Sequence, residues 1–276
     1  MSLLIHRLAT ERTTSPSAIG GQLLLVAVIA AAVGGLGLAL DSATSVRRGL
    51  GHACASGAAH GCFLAVGWLL AFQGRAGWWG PALRESVALI VASVAARLSP
   101  AGAVAYLLVP LVVARDAAFW PERLDRIGWR WPRERRATLV GAASGAFLGL
   151  HLLFAASLML GYHVEVPNAR RYLAAVAYDV GANALTVEWL FRGVIFSMLW
   201  RRWSFWPAAV VSTGLSLLRY LLDPALPQTA ELIAGAMFYM LLLGLGSCAL
   251  RAWSGSLLPG YLATVTFFAA YRILLV

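Results

Sequence analysis

An acid and a base stand four residues apart inside an apolar run, in Thr186-Val187-Glu188-Trp189-Leu190-Phe191-Arg192-Gly193, part of a segment from about Tyr172 to Trp200. A charge at the centre of a bilayer span costs roughly 2.5–3.5 kcal/mol on insertion scales, so each needs a partner or a purpose. On an α-helix Glu188 and Arg192 lie about 40° apart with the acid N-terminal, the favourable order for an internal ion pair. A buried carboxylate beside an imidazole could instead hold and pass a proton, the chemistry of an intramembrane acid–base site. Asp179, Asn183 and Thr186 share another face, nearly opposite Glu188.

Five histidines could supply that imidazole: His6, His52, His60, His151 and His163. His151 is alone in an apolar span and reads as a histidine hydrogen-bonded within a bundle. His52, Cys54, His60 and Cys62 recur at an interval of eight, but on a helix they point to four different sides, which disfavours a single metal site from this segment. With no H-E-x-x-H and no paired Glu/His cluster, zinc hydrolysis is disfavoured, and we expect neither metal nor cofactor. Ser256 and Cys248 have no histidine in the matching region to activate them. Arg219 and Asp223 read as an interfacial ion pair near the outer end of their helix. The three cysteines are odd in number and lack C-x-x-C spacing, so no disulfide framework is expected.

These residues need a membrane scaffold. Of the 276 residues 60% are hydrophobic and 12% charged, with mean hydropathy +0.75, whereas soluble domains carry about 25% charged residues. Apolar segments fall at about 19–40, 51–72, 85–98, 101–115, 137–161, 172–200, 206–222, 230–250 and 254–275. The pattern predicts an all-α polytopic membrane helix bundle of about eight spans; the run at 85–98 is short, and Pro100 separates it from the next. The first run, 19–40, is too long for the apolar region of a cleaved signal peptide and reads as a span. All 22 basic residues are arginine, and the net charge of +10 is carried mainly at the ends of apolar runs. That is the positive-inside bias of a membrane protein rather than a nucleic-acid surface.

The chain divides into a cytoplasmic N-terminal segment (1–18), N-terminal transmembrane spans (19–115), an Arg/Trp-rich cytoplasmic loop (116–136) and a transmembrane core (137–276). The loop region interleaves Arg115, Arg123, Arg126, Arg130, Arg133, Arg135 and Arg136 with Trp120, Trp129 and Trp131, and is expected to lie on the headgroups. Arg201, Arg202 and Arg251 return to the same side, while the segments holding Glu165, Asp223 and Glu231 face outward. Gly141, Gly145 and Gly149 recur at every fourth position, the spacing that lets two helix backbones approach.

From about Tyr172 onward the chain resembles the CAAX-protease and bacteriocin-processing (CPBP) family of intramembrane endopeptidases. The resemblance rests on Glu188-Trp-Leu-Phe-Arg192-Gly193-Val-Ile-Phe196, similar to the family's E-E-x-x-x-R-G element, and on Gly255-Ser256-Leu257-Leu258-Pro259, similar to its G-S-L-x-P. It implies a glutamate and two histidines that activate water against a peptide bond. Carried over residue by residue, the first glutamate position is Val187, the first histidine position is Arg219, and the H-x-x-x-N pair is Thr264 and Phe268. Glu188 is the only retained acid, with Arg192 beside it; for an α-helix, Val187 points about 140° away from Arg192.

The expected function is that of a catalytically impaired member, a pseudoprotease that binds or regulates a membrane-anchored protein or peptide substrate, or an active protease partner or homologue, in the bilayer. It is expected to be a multi-pass protein of a bacterial inner membrane, with its N-terminus cytoplasmic from the arginine distribution and with no nucleic-acid partner. One alternative is an active endopeptidase using Glu188 as acid and His151 or His163 as base. Another is a transporter or channel with Glu188, Arg192, Asp179 and Asn183 lining a pathway, although no repeated half is visible.

Overall fold

A computed structural model describes residues 16–43, 49–74, 77–125, 127–160, 168–221 and 230–273. His6, His163, Glu165, Arg126, Asp223 and most of segment 1–18 lie outside the described residues.

Caps and prolines decide where the apolar runs begin and end as helices. The first, α1 (Pro16–Ala43), is followed by α2 (Leu50–Ala71). Asp41, near the end of α1, accepts the backbone N–H of Gly49, Gly51 and His52, which satisfies the orphan donors at the start of α2. These hydrogen bonds, Gly51's foremost and that of the His52 side chain next, lower the Asp41 carboxyl from 3.8 to about 2. Next comes α3 (Trp79–Leu98), then Ser99, whose hydroxyl accepts the Gly102 N–H and caps α4 (100–118). The first part of α4, Pro100–Leu108, is 3₁₀-helix and the rest, Val109–Ala118, is α-helix. After a short α5 (Pro121–Asp125) come α6 (Arg135–Leu160), α7 (169–200), α8 (Phe205–Leu221), α9 (Ala230–Ser254) and α10 (Leu258–Tyr271). Asn168 caps α7 by accepting the Arg170 N–H at 2.9 Å. All the regular structure among the described residues is helical.

By length and composition five helices can cross a membrane: Ala18–Ala39, Leu50–Ala71, Pro100–Ala118, Arg135–Leu158 and Ile233–Ser254, with Leu258–Tyr271 a shorter apolar helix. The expected eight spans are therefore not established. The reason is compositional: α3 carries Arg84, Glu85 and Arg97, α7 carries Asp179, Glu188 and Arg192, and α8 has only 17 residues. The run that reads as 85–98 starts at Trp79 and forms its own 20-residue helix, because its two leading charges are absorbed. Arg84 grips both carboxylate oxygens of Asp116 on α4, at 2.8–3.1 Å, and Glu85 accepts the Trp68 indole N–H at 2.6 Å.

The centre of the bundle is α7, in which every residue from 181 to 194 is buried. On one side it meets an apolar cluster built from α2, α3 and α4, including Leu64, Trp68, Leu89 and Val113. On the other it meets a cluster built from α8, α9 and α10, including Tyr220, Leu243 and Phe267. The glycine stripe works at the outer edge of that second half. A Cβ on Gly141, Gly145 or Gly149 would collide with the carbonyl oxygen of Pro259, Ala263 or Phe267, so α6 lies directly on the backbone of α10.

The Arg/Trp-rich connection does not lie wholly on the headgroups. Leu124 and Ile127 are buried, and the Trp129 ring packs edge-on against Trp189 at 5.3 Å. Trp120 packs against Phe72, whereas Trp131 remains 84% exposed. An indole buried in a core gains more apolar contact than one at the interface, and α7 offers such a surface.

Candidate functional site

The middle of α7 is not a regular α-helix. Asp179–Asn183 and Glu188–Phe196 are wound as π-helix, with Ala184–Val187 between them. Such widened turns are frequent at functional positions. They also alter the angular spacing that a uniform α-helix gives to Val187, Glu188 and Arg192.

Glu188 is 2% exposed and Arg192 3%. The Arg192 Nε lies 3.8 Å from Glu188 Oε1, an ion-pair distance too long for a hydrogen bond. The carboxylate's hydrogen bond comes from Thr264 on α10, whose hydroxyl donates to Oε1 at 2.8 Å. The other oxygen, Oε2, is buried with no hydrogen-bond partner, as are Arg192 Nε and Nη1, Ser247 Oγ on α9 and Thr213 Oγ1 on α8. Gly260 makes room for this arrangement: a Cβ there would stand 2.8 Å from Glu188 Oε2 and 3.2 Å from Ser247 Oγ. Gly244 does the same for the Arg192 guanidinium.

The four remaining motif positions are each occupied. Val187 and Phe268 are buried in one apolar cluster with Leu190, Phe191, Tyr220 and Leu243. The Phe268 ring lies 6.0 Å from that of Tyr220. Thr264 is turned to Glu188. Arg219 donates to Asn183 Oδ1 at 2.8 Å, with its guanidinium 4.6 Å from the Tyr220 ring centre. That bond supplies Arg219 with a partner on α7, across the bundle from its own helix; the expected partner, Asp223, is not among the described residues.

Asp179, Asn183 and Thr186 form a second polar network rather than a free face. Asp179 is fully buried and takes both Nε and Nη2 of Arg272, at 3.0 and 3.1 Å. Asn183 Nδ2 donates to Asp179, while its Oδ1 accepts from Arg219 and from the Tyr220 hydroxyl. Thr186 donates its hydroxyl to the Ala182 carbonyl at 2.7 Å, so it can only accept from His60 Nδ1 at 3.1 Å. His60 Nε2 then accepts from the Tyr178 hydroxyl at 2.8 Å, which describes a neutral imidazole held at both nitrogens.

The other described histidines are also engaged, His52 with Asp41 and His151 with the Tyr239 hydroxyl. Among the described residues no cluster of three or more His, Cys, Asp or Glu could hold a metal ion.

Sequence reasoning missed Arg272, Ser247 and Gly260. Arg272 lies 93 residues from Asp179 at the end of an apolar run, and no local spacing links the two. For Gly260 there was a signal, its place next to the Gly255–Pro259 motif on the turn entering α10.

Glu188 also reaches a cavity of about 480 Å³. Its walls are apolar and aromatic, with Pro110 and Ala114 from α4, Trp129 from the connection, Leu185 and Trp189 from α7, and Tyr261 from α10. Arg130 and Asp125 belong to the same wall. The volume falls within the roughly 300–1,000 Å³ of small-molecule sites.

Residues 169–268 match the family model described as type II CAAX prenyl endopeptidase Rce1-like. No curated protein and no solved structure matches the chain.

Proposed function

We propose, from the premise that this chain belongs to the CPBP family of intramembrane endopeptidases through its residues 169–268, that it is a pseudoprotease of the membrane. It keeps the family's buried glutamate, arginine and cavity, and uses them to hold or regulate a membrane-anchored protein or an active protease partner rather than to cut a peptide bond. The observation that carries the reading is the filling of the motif positions. Val187 and Phe268 sit in apolar packing, and Thr264 and Arg219 are bound to Glu188 and Asn183. Among the described residues no imidazole is hydrogen-bonded to Glu188, so the carboxylate has no histidine to share a proton with.

The test is direct. The purified protein in detergent, offered membrane-anchored peptides with and without a prenyl group, should retain them without cleavage. Cleavage by the protein alone, lost in Glu188→Gln, overturns the reading. One observation favours the second reading, an active endopeptidase using Glu188: the carboxylate borders the cavity with Oε2 unpaired. The Glu188→Gln comparison separates the two.

A further inference from the structure

We propose that the outer face of α6 is the interface of a homodimer, in which His151 of one copy hydrogen-bonds His151 of a second copy inside the membrane. α6 gives its inner face to α10 through the three glycines. His151 follows Gly149 by two positions, about 200° round the helix, and so points away from that contact. It stands at the end of an exposed ridge with Leu139, Ala143 and Phe147, one residue at every fourth position. At 1.5 Å per residue it lies about 24 Å from Arg135 and about 10 Å from Leu158, the ends of a helix able to cross a membrane. That depth is inside a hydrocarbon core about 30 Å thick.

The apolar neighbours on this face need no partner, because lipid tails receive them as well as another helix would. The imidazole is different. Its Nδ1 is bonded to the Tyr239 hydroxyl on α9, and among the described residues none is bonded to Nε2. Ionisable side chains within spans almost always face a bundle interior or a water-filled cavity. His151 faces outward from this bundle, so its polar edge becomes interior only when a further helix covers it.

Hydrogen-bond complementarity identifies that helix as α6 of a second copy. A two-fold axis normal to the membrane places the two His151 side chains at the same depth, whereas an unrelated helix would have to bring its own polar group there. A neutral imidazole donates at one ring nitrogen and accepts at the other, so Nε2–H of one copy can donate to Nε2 of the other. The two rings then carry opposite tautomers. Tyr239 accommodates both, because its hydroxyl can donate to Nδ1 in one copy and accept from Nδ1–H in the other. No other group is needed to complete the pair. The interface uses none of the residues around Glu188 or its cavity, so its failure leaves the pseudoprotease reading standing.

The experiment is the association isotherm of the full chain in vesicles of phosphatidylethanolamine and phosphatidylglycerol. Energy transfer between donor- and acceptor-labelled copies is followed as the protein is diluted into lipid. We expect wild-type chains to form dimers and His151→Leu to associate about three- to thirty-fold more weakly, the range for one hydrogen bond between transmembrane helices. His151→Asn, whose amide both donates and accepts, should recover part of that loss, which an apolar contact alone would not explain. Disulfide cross-linking in a Cys54→Ala, Cys62→Ala, Cys248→Ala background gives a second measurement that stands in if His151→Leu fails to fold. Leu150→Cys, beside His151 on the exposed face, should yield cross-linked dimers; Leu218→Cys, exposed on α8, should not. Chains that stay monomeric at every dilution overturn the proposal and leave the face to a different partner. Equal association of wild type and His151→Leu also overturns it, as does cross-linking through Leu218→Cys alone.

Discussion

Glu188 has a hydrogen bond from Thr264 at one oxygen, an arginine 3.8 Å away, and a second oxygen without a hydrogen-bond partner, beside Gly260. At the preceding position of the motif, Val187 is packed among Leu190, Phe191, Tyr220 and Phe268, an environment with nothing to solvate a charge. These adjacent side chains therefore report on two different surroundings, one polar and incompletely satisfied, the other dry. That contrast gives a residue-scale prediction. Val187→Glu, which puts back the acid of the family motif, should destabilise the protein by about 2.5–3.5 kcal/mol, the cost of an unpaired charge at a helix centre. Thermal unfolding in detergent measures it, with Val187→Thr as the milder control. An unchanged midpoint would mean that the position is wet, and a gain of cleavage would mean that the scaffold had lost only its acid. At this scale the sequence allowed the pair Glu188/Arg192 to be read from i, i+4 spacing. It did not allow the Thr264 bond to be read, since that depends on how closely α10 approaches α7.

At the scale of helices, α6 and α10 meet backbone to backbone because three glycines in register remove the side chains between them. The stripe was legible in the sequence as a packing signal, but its partner helix was not, since a glycine spacing says nothing about what approaches it. Gly145→Ala should cost roughly 1–3 kcal/mol through the clash of its Cβ with the Ala263 carbonyl. Gly246→Ala on α9, where a Cβ meets nothing within 4 Å, should be neutral or mildly stabilising. A loss at Gly145 no larger than that at Gly246 would show that the contact between α6 and α10 does not decide the result. A second prediction concerns the start of α2. The folded Asp41 value, about 2, lies below its ordinary 3.8, so its contribution is fully present above pH 3.8 and is lost as pH falls toward about 2. Wild-type protein should therefore lose thermal stability over that window by more than Asp41→Asn does; parallel slopes would remove the cap from the account. The π turns of α7 are the element-scale feature that sequence reasoning could not supply. Uniform spacing of about 100° per residue assumes α-geometry, and nothing in the residue types from Glu188 to Phe196 announces an i→i+5 turn.

Taken as a whole, the bundle consists of two packed halves that share α7, and the polar contacts of α7 tie it to both. His60 on α2 is bound to Thr186 and Tyr178, Arg219 on α8 to Asn183, and Arg272 beyond α10 to Asp179. Fold class and membrane placement were legible from composition because they depend on total apolar content. The crossings between halves were not, because each joins residues dozens of positions apart. Asp179 is the connection on which the most depends. It is fully buried, while the Arg272 side chain is 35% exposed. Removing Arg272 leaves a buried carboxylate with only the Asn183 amide, whereas removing Asp179 leaves an arginine that can turn to water. Arg272→Gln should therefore cost about 1–3 kcal/mol, the discount from a fully buried pair reflecting the exposed guanidinium. Asp179→Asn in the Arg272→Gln background should recover part of that loss, because the uncompensated charge is then gone. The double-mutant cycle in thermal unfolding should give a coupling of about 0.5–3 kcal/mol. Strict additivity would mean that Asp179 and Arg272 do not act as a pair and that the two halves are not joined through Asp179.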